Sequence, residues 1–101
     1  MRPQKKYRTA SAKEKAALAE LADRLDRLGE ERDPETVQNV IYEVGKAHGF
    51  EPLRDWFKAL YEVLFGQSAG PRFGSFAALF GCRQMAELIR RALAGEFTAA
   101  A

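Results

Sequence analysis

Apolar residues recur along this chain at intervals of three and four, the spacing that places side chains on one face of an α-helix. Leu18, Leu21, Ala22, Leu25 and Leu28 form the first such stripe. Ahead of it, Ser11-Ala12-Lys13-Glu14 fits a capping box, in which the serine hydroxyl accepts from a first-turn amide and the glutamate reaches back. Gly29 supplies the positive-φ residue that ends a helix. The opposite face, with Glu20, Asp23, Arg24 and Arg27, is expected in solvent. Asp33-Pro34-Glu35 predicts a second start: an aspartate N-cap, a proline where no amide is lost, and an acid at the positive pole. Val37, Val40, Ile41 and Val44 continue that helix to His48-Gly49, where a histidine cation complements the C-terminal dipole.

Glu51-Pro52 predicts a third helix opened in the same manner. Its stripe (Leu53, Trp56, Phe57, Leu60, Tyr61, Leu64, Phe65) is wide enough to predict the central, most buried element, ended by Gly66. The breaker-rich run from Gly66 to Gly74 is the one substantial internal loop. Phe73, Phe76, Ala77 and Phe80 then predict a short helix closed by Gly81, and Met85, Leu88, Ile89 and Leu93 a last one closed by Gly95. No segment alternates with period two for long enough to require a strand, and no repeat is present. The pattern predicts an all-α fold, an irregular bundle of about five helices over residues 11–95. A basic linker from an upstream domain is expected at 1–10 and a flexible tail at 96–101.

The chain has 101 residues, 47% hydrophobic and 30% charged, which fits one globular domain rather than a disordered tail. No apolar run approaches the roughly 20 residues of a membrane-spanning helix, and the basic N-terminus lacks the apolar stretch of a secretory signal. A cytoplasmic location is expected, with no membrane partner. One cysteine (Cys82) and one histidine (His48) exclude an internal disulfide and a Cys/His zinc site. No metal is expected. Cys82, between Gly81 and apolar neighbours, reads as a buried structural thiol rather than half of a nucleophilic Cys–His pair.

The net charge of +2 conceals an asymmetry. Residues 1–15 carry Arg2, Lys5, Lys6, Arg8, Lys13 and Lys15 against Glu14, whereas Glu20, Asp23, Asp26, Glu30, Glu31, Asp33 and Glu35 make 20–35 acidic. The basic arm suits a phosphate backbone or a solvated linker. Most acids fall on polar helix faces beside arginines, which disfavours a carboxylate active site. Gly74-Ser75-Phe76 lacks the lysine of a Walker loop. Recognition is left, and Gly70-Pro71-Arg72-Phe73-Gly74 puts beside each other a cation and an aromatic, able to hold a phosphate and stack on an unpaired base. The competing reading has Phe73 packed inward and Arg72 paired with an acid; Trp56 and Tyr61 likewise read first as core. Arg54 and Lys58, four apart, present a double charge or flank Asp55 and Glu62.

Three runs carry a resemblance: Glu35 to Gly45 (ETVQNVIYEVG), Pro52 to Tyr61 (PLRDWFKALY), and Leu64 to Phe76 (LFGQSAGPRFGSF). Together they resemble the C-terminal end of class I lysyl-tRNA synthetases, and the lead-in Pro3-Gln4-Lys5-Lys6-Tyr7-Arg8 is similar to the segment joining that module to upstream helices. The likeness runs from about residue 3 to Leu93, and the end of glutamyl-tRNA synthetases is a more distant relation. Tyr42-Glu43-Val44-Gly45 and Phe73-Gly74-Ser75-Phe76 favour the lysyl family. The resemblance implies the all-α anticodon-binding domain of a class I aminoacyl-tRNA synthetase, with the tRNA(Lys) anticodon loop and the upstream domains as partners. The catalytic signatures, His-Ile-Gly-His-like and Lys-Met-Ser-Lys-Ser-like, are missing, so the fragment is expected to be no enzyme by itself and to need no cofactor; ATP serves the parent ligase. The candidate RNA-binding residues are Arg72 and Phe73, with Arg54, Lys58, Lys46 and His48 around them. The alternatives are a helical protein-interaction domain, marked by an exposed apolar patch without positive surface near the loop, and a small helical DNA-binding domain using Arg83, Arg90 and Arg91.

Overall fold

A computed structural model describes residues 9–67, 70 and 72–95. The linker residues 1–8, the tail 96–101 and loop positions 68, 69 and 71 lie outside the described residues. Five helices follow in order: α1 (Ala12–Leu28), α2 (Pro34–Ala47), α3 (Leu53–Leu64), α4 (Phe73–Phe80) and α5 (Cys82–Leu93). The described residues contain no strand. The all-α expectation is met.

The local signals act largely as read. Ser11 Oγ accepts from the Glu14 amide at 3.2 Å while Glu14 Oε1 accepts from the Ser11 amide at 2.8 Å, a complete capping box. Gly29 ends α1 at φ 58° and Gly49 follows the His48 cap of α2 at φ 77°. Two start signals differ in detail. Asp33 occupies the N-cap of α2, but its carboxylate accepts from Thr36 Oγ1 at 2.8 Å instead of capping an amide. Pro52 is the N-cap of α3, one position earlier than Pro34 stands in α2.

The stripes converge on one core: Leu18, Leu21 and Leu25 of α1, Val37, Ile41 and Val44 of α2, Trp56, Leu60 and Leu64 of α3, Phe73 and Ala77 of α4, Met85 and Ile89 of α5. The backbones approach most extensively where α1 lies on α5 and α2 on α4, so α3 is not the central element, although Trp56, Leu60, Tyr61 and Leu64 are buried as its wide stripe predicts. Its bulky side chains, Trp56 and Tyr61 among them, hold the axis away from its neighbours, since helix separation follows the side chains at the contact. Trp56 is fully buried and satisfied, its Nε1 donating to the Ile41 carbonyl at 3.0 Å.

The polar face of α1 is not simply solvated. Glu20 takes both Arg24 Nε at 3.1 Å and His48 Nε2 at 2.8 Å, and Arg24 extends to Glu43 at 2.7 Å, tying α1 to α2. Arg90 of α5 bridges Asp23 at 3.0 Å and Asp26 at 2.7 Å. The neighbouring helices α2 and α5 explain the difference: spacing along one helix cannot show which charges a neighbour brings. Cys82 is buried as expected, its Sγ 3.6 Å from the Glu31 carbonyl, and burial, reinforced by the Glu31 charge, pushes the thiol pKa up. His48 caps the other end of α2, a helix of 14 residues and so roughly 21 Å long, which keeps the two groups from acting as a pair.

Candidate nucleic-acid interface

The loop between α3 and α4 is held from both sides. At its start Gly66 (φ 66°) turns the chain and the Gln67 amide donates to the Tyr61 carbonyl at 3.2 Å. Further on, Gly70 lies against the Tyr61 ring so closely that a β-carbon there would sit 2.5 Å from Cε1. At its end the Gly74 amide donates to Gln38 Oε1 at 2.6 Å, a buried bond reaching across from α2. First-turn amides of a helix have no intrahelical acceptor, and Gln38 supplies one. A β-carbon on Gly74 would collide with the Gln38 backbone, so only glycine permits this approach.

This clamp aims Arg72. The residue is the N-cap of α4, its carbonyl accepting from the Phe76 amide at 3.0 Å, and its side chain is exposed. Among the described residues no acid pairs with it, contrary to the competing reading. Phe73 meets the opposite fate: it is 1% exposed, edge-on to Tyr61 at 5.9 Å and beside Phe65 at 6.2 Å. With both ring faces in the core it has no surface on which a base can stack, and its place among the candidates is corrected. Tyr61 is core as well; burial raises its phenol pKa, and its hydroxyl has no hydrogen-bond partner among the described residues.

The remaining cations form a second group at the far end of α3. Arg54 and Lys58 are exposed one turn apart, and Lys46 is exposed in the last turn of α2. Gly45, next to Lys46, faces Leu53 and Trp56, so Lys46 and Arg54 share the corner where α2 meets α3. From Arg54 to the loop contact at Tyr61 is seven helical residues, roughly 10 Å. Lys58 opens onto a cleft of about 400 Å³ that also holds Lys13, Glu14, Asp55 and Glu62. Lys13 is engaged there, donating to the Gly49 carbonyl at 2.9 Å and lying 4.5 Å above the Phe50 ring. Three carboxylates against two ammonium groups leave the cleft a poor phosphate site, so Lys58 acts with Arg54 outside it or not at all. His48, 23% exposed and bonded to Glu20, is committed to the α1–α2 contact.

Sequence reasoning missed Gln38 and Gly74, which position Arg72. The signal was faint: one amide side chain on the margin of the Val37, Ile41, Val44 stripe. Of the three α5 arginines in the DNA-binding alternative, Arg90 is paired with Asp23 and Asp26, and Arg83 lies 3.9 Å from Glu30. Among the described residues no group of three or more His, Cys, Asp or Glu is placed to hold a metal, and no helix is long and apolar enough to cross a membrane.

Fold and surface together define a small all-α module that offers unpaired cations from a helix cap and a helix corner. Comparison with known proteins shows what this module is similar to. The chain is 49% identical over 96 residues to the lysine–tRNA ligase of Roseobacter denitrificans, which covers 95% of the chain and 18% of that relative. It is 41% identical over 85 residues to the enzyme of Rickettsia conorii (84% and 16%) and 44% identical over 89 residues to that of Rickettsia bellii (88% and 17%). The chain is homologous to the C-terminal region of lysine–tRNA ligases and spans about one-sixth of the length of these relatives. No protein-family model and no solved structure matches it.

Proposed function

We propose that this chain is the tRNA-anticodon-binding module of a class I lysine–tRNA ligase and performs no catalysis by itself. The observation that carries the reading is the homology, which covers 95% of the chain and only the C-terminal region of a ligase that acts on tRNA. The geometry supports it: Arg72 is exposed and unpaired among the described residues, two positions before the Gly74 amide that Gln38 holds, and Arg54 and Lys46 are exposed at the α2–α3 corner. An anticodon presents unstacked bases and closely spaced phosphates, which are recognised by exposed guanidinium groups and by stacking. In the parent enzyme the module checks the anticodon and holds the tRNA so that its acceptor end reaches the activated lysine. ATP and the lysyl-adenylate chemistry belong to the part of the ligase outside this chain. The setting is the cytoplasm, where translation proceeds.

The test is fluorescence anisotropy of the 101-residue chain with a labelled tRNA(Lys) anticodon stem-loop and a copy carrying a different anticodon, each at two salt concentrations. A preference for the lysine anticodon that persists at the higher salt is expected. Equal binding that falls with salt reduces the module to a phosphate surface. Absence of binding to both overturns the reading.

A further inference from the structure

The short helix α4 has the sequence FGSFAALF, without one charged residue. Phe73, Gly74, Ala77 and Ala78 face inward, as a core helix should. The outward side is apolar as well: Leu79 is 82% exposed and Phe80 45%. Phe80 stacks on Phe76 at 5.7 Å and 15°, and Phe76 meets Phe65 edge-on at 5.3 Å, so an aromatic ladder runs from the core to the surface without interruption. Single exposed apolar residues need no explanation, but a helix with large apolar residues on its outward as well as its inward side belongs inside a larger body. The bundle covers only one side of it.

Two observations choose the occupant. First, the strip lacks the cations that RNA requires: Arg72 stands at the opposite end of α4, and Arg83, just past Phe80, lies 3.9 Å from Glu30. Second, the relatives are more than five times as long as the region matched here, 18% of the Roseobacter enzyme being covered. We infer that the Phe76–Leu79–Phe80 face of α4 is the surface on which the remainder of a lysine–tRNA ligase docks, through an apolar patch of its own. This rests on the homology to the ligase and not on the anticodon reading. It gives α4 two tasks: its N-terminus presents Arg72 and its C-terminal turn fixes the module to the enzyme body, so the loop's aim is set relative to that body.

The experiment titrates the labelled 101-residue chain with Roseobacter denitrificans lysine–tRNA ligase truncated to remove the region this chain matches. The variants are Leu79→Lys and Leu79→Gln, at a position exposed enough to leave the fold intact, as melting curves would verify. The wild-type chain is expected to bind, and each variant to bind roughly tenfold or more weakly, the loss expected when a leucine side chain no longer leaves water. Failure of the wild-type chain to bind, or equal binding by the variants, overturns the inference. So does a dimer of the chain in sedimentation that Leu79→Lys abolishes, which assigns the strip to a second copy. Weaker stem-loop binding by Leu79→Gln, with no ligase present, assigns it to RNA and overturns the inference equally. Docking of a chain that ignores the stem-loop would sustain this inference while removing the anticodon reading.

Discussion

A single hydrogen bond, from the Gly74 amide to Gln38 Oε1, ties the first turn of α4, which Arg72 caps, to α2. Replacing Gln38 with leucine leaves that buried amide without an acceptor, a cost of about 1–3 kcal/mol. For a chain of this size the melting temperature should fall by several degrees, and RNA binding should weaken although Gln38 touches no ligand. Arg72→Ala is expected to weaken stem-loop binding roughly tenfold with the melting curve unchanged; unaltered affinity removes Arg72 from the interface. Cys82 offers a residue-scale prediction in pH. Burial raises its folded-state pKa above the ordinary 9.0, so both folded and unfolded thiols are protonated at neutral pH and its contribution is intact there. Above about 9 the unfolded thiol ionises first, and stability falls as pH rises. Tyr61, raised by burial from 10.0, acts in the same direction at higher pH. Denaturant titrations between pH 7 and 10.5 should show this alkaline loss, reduced in Cys82→Ala, and the native thiol should react slowly with a thiol reagent at pH 7.5.

Between elements, the contact that decides the corner near Lys46 and Arg54 is Gly45 against Trp56. Alanine is the better helix former by about 1 kcal/mol, which alone would make Gly45→Ala stabilising. A β-carbon there would sit 2.5 Å from Trp56 Cδ1 and 3.0 Å from a Leu53 methyl, and overpacking of a filled core costs about 1–3 kcal/mol. The variant is therefore expected to melt lower than the wild type, with altered tryptophan fluorescence; a higher melting temperature would show that α3 can move away freely. The ion pairs between α1 and its neighbours are more exposed, and Arg90→Ala is expected to change stability little at physiological salt.

Over the whole molecule, charge is distributed rather than massed. The acids of α1 are occupied by Arg24, His48 and Arg90, so the cations left unpaired among the described residues include Arg54, Lys46 and Arg72, on the α2–α3 corner and the loop. A net charge of +2 with few free cations predicts a shallow salt dependence, changing by about one unit of slope for each phosphate-contacting residue removed. The apolar strip lies at the far end of α4, the short helix that Arg72 caps.

The five helices were legible in the sequence because each is bounded by local chemistry and carries a continuous stripe. A capping box, a proline in a first turn and glycines at positive φ act within four or five residues. The homology was legible too, in three runs that include the loop. The candidate site was legible only in part. Arg72, Arg54 and Lys46 could be chosen by residue type, but whether a cation is free depends on acids brought from other helices, and His48 was lost to Glu20 for that reason. Phe73 looked like a partner for a base until packing against Tyr61 and Phe65 enclosed it. What the sequence by itself determined was what acts locally: helix limits, inward faces and an all-α class. Tertiary structure alone decided which side chains remain available, because burial and pairing are set by residues on other helices, from 8 to 67 positions away, that meet only when the helices pack.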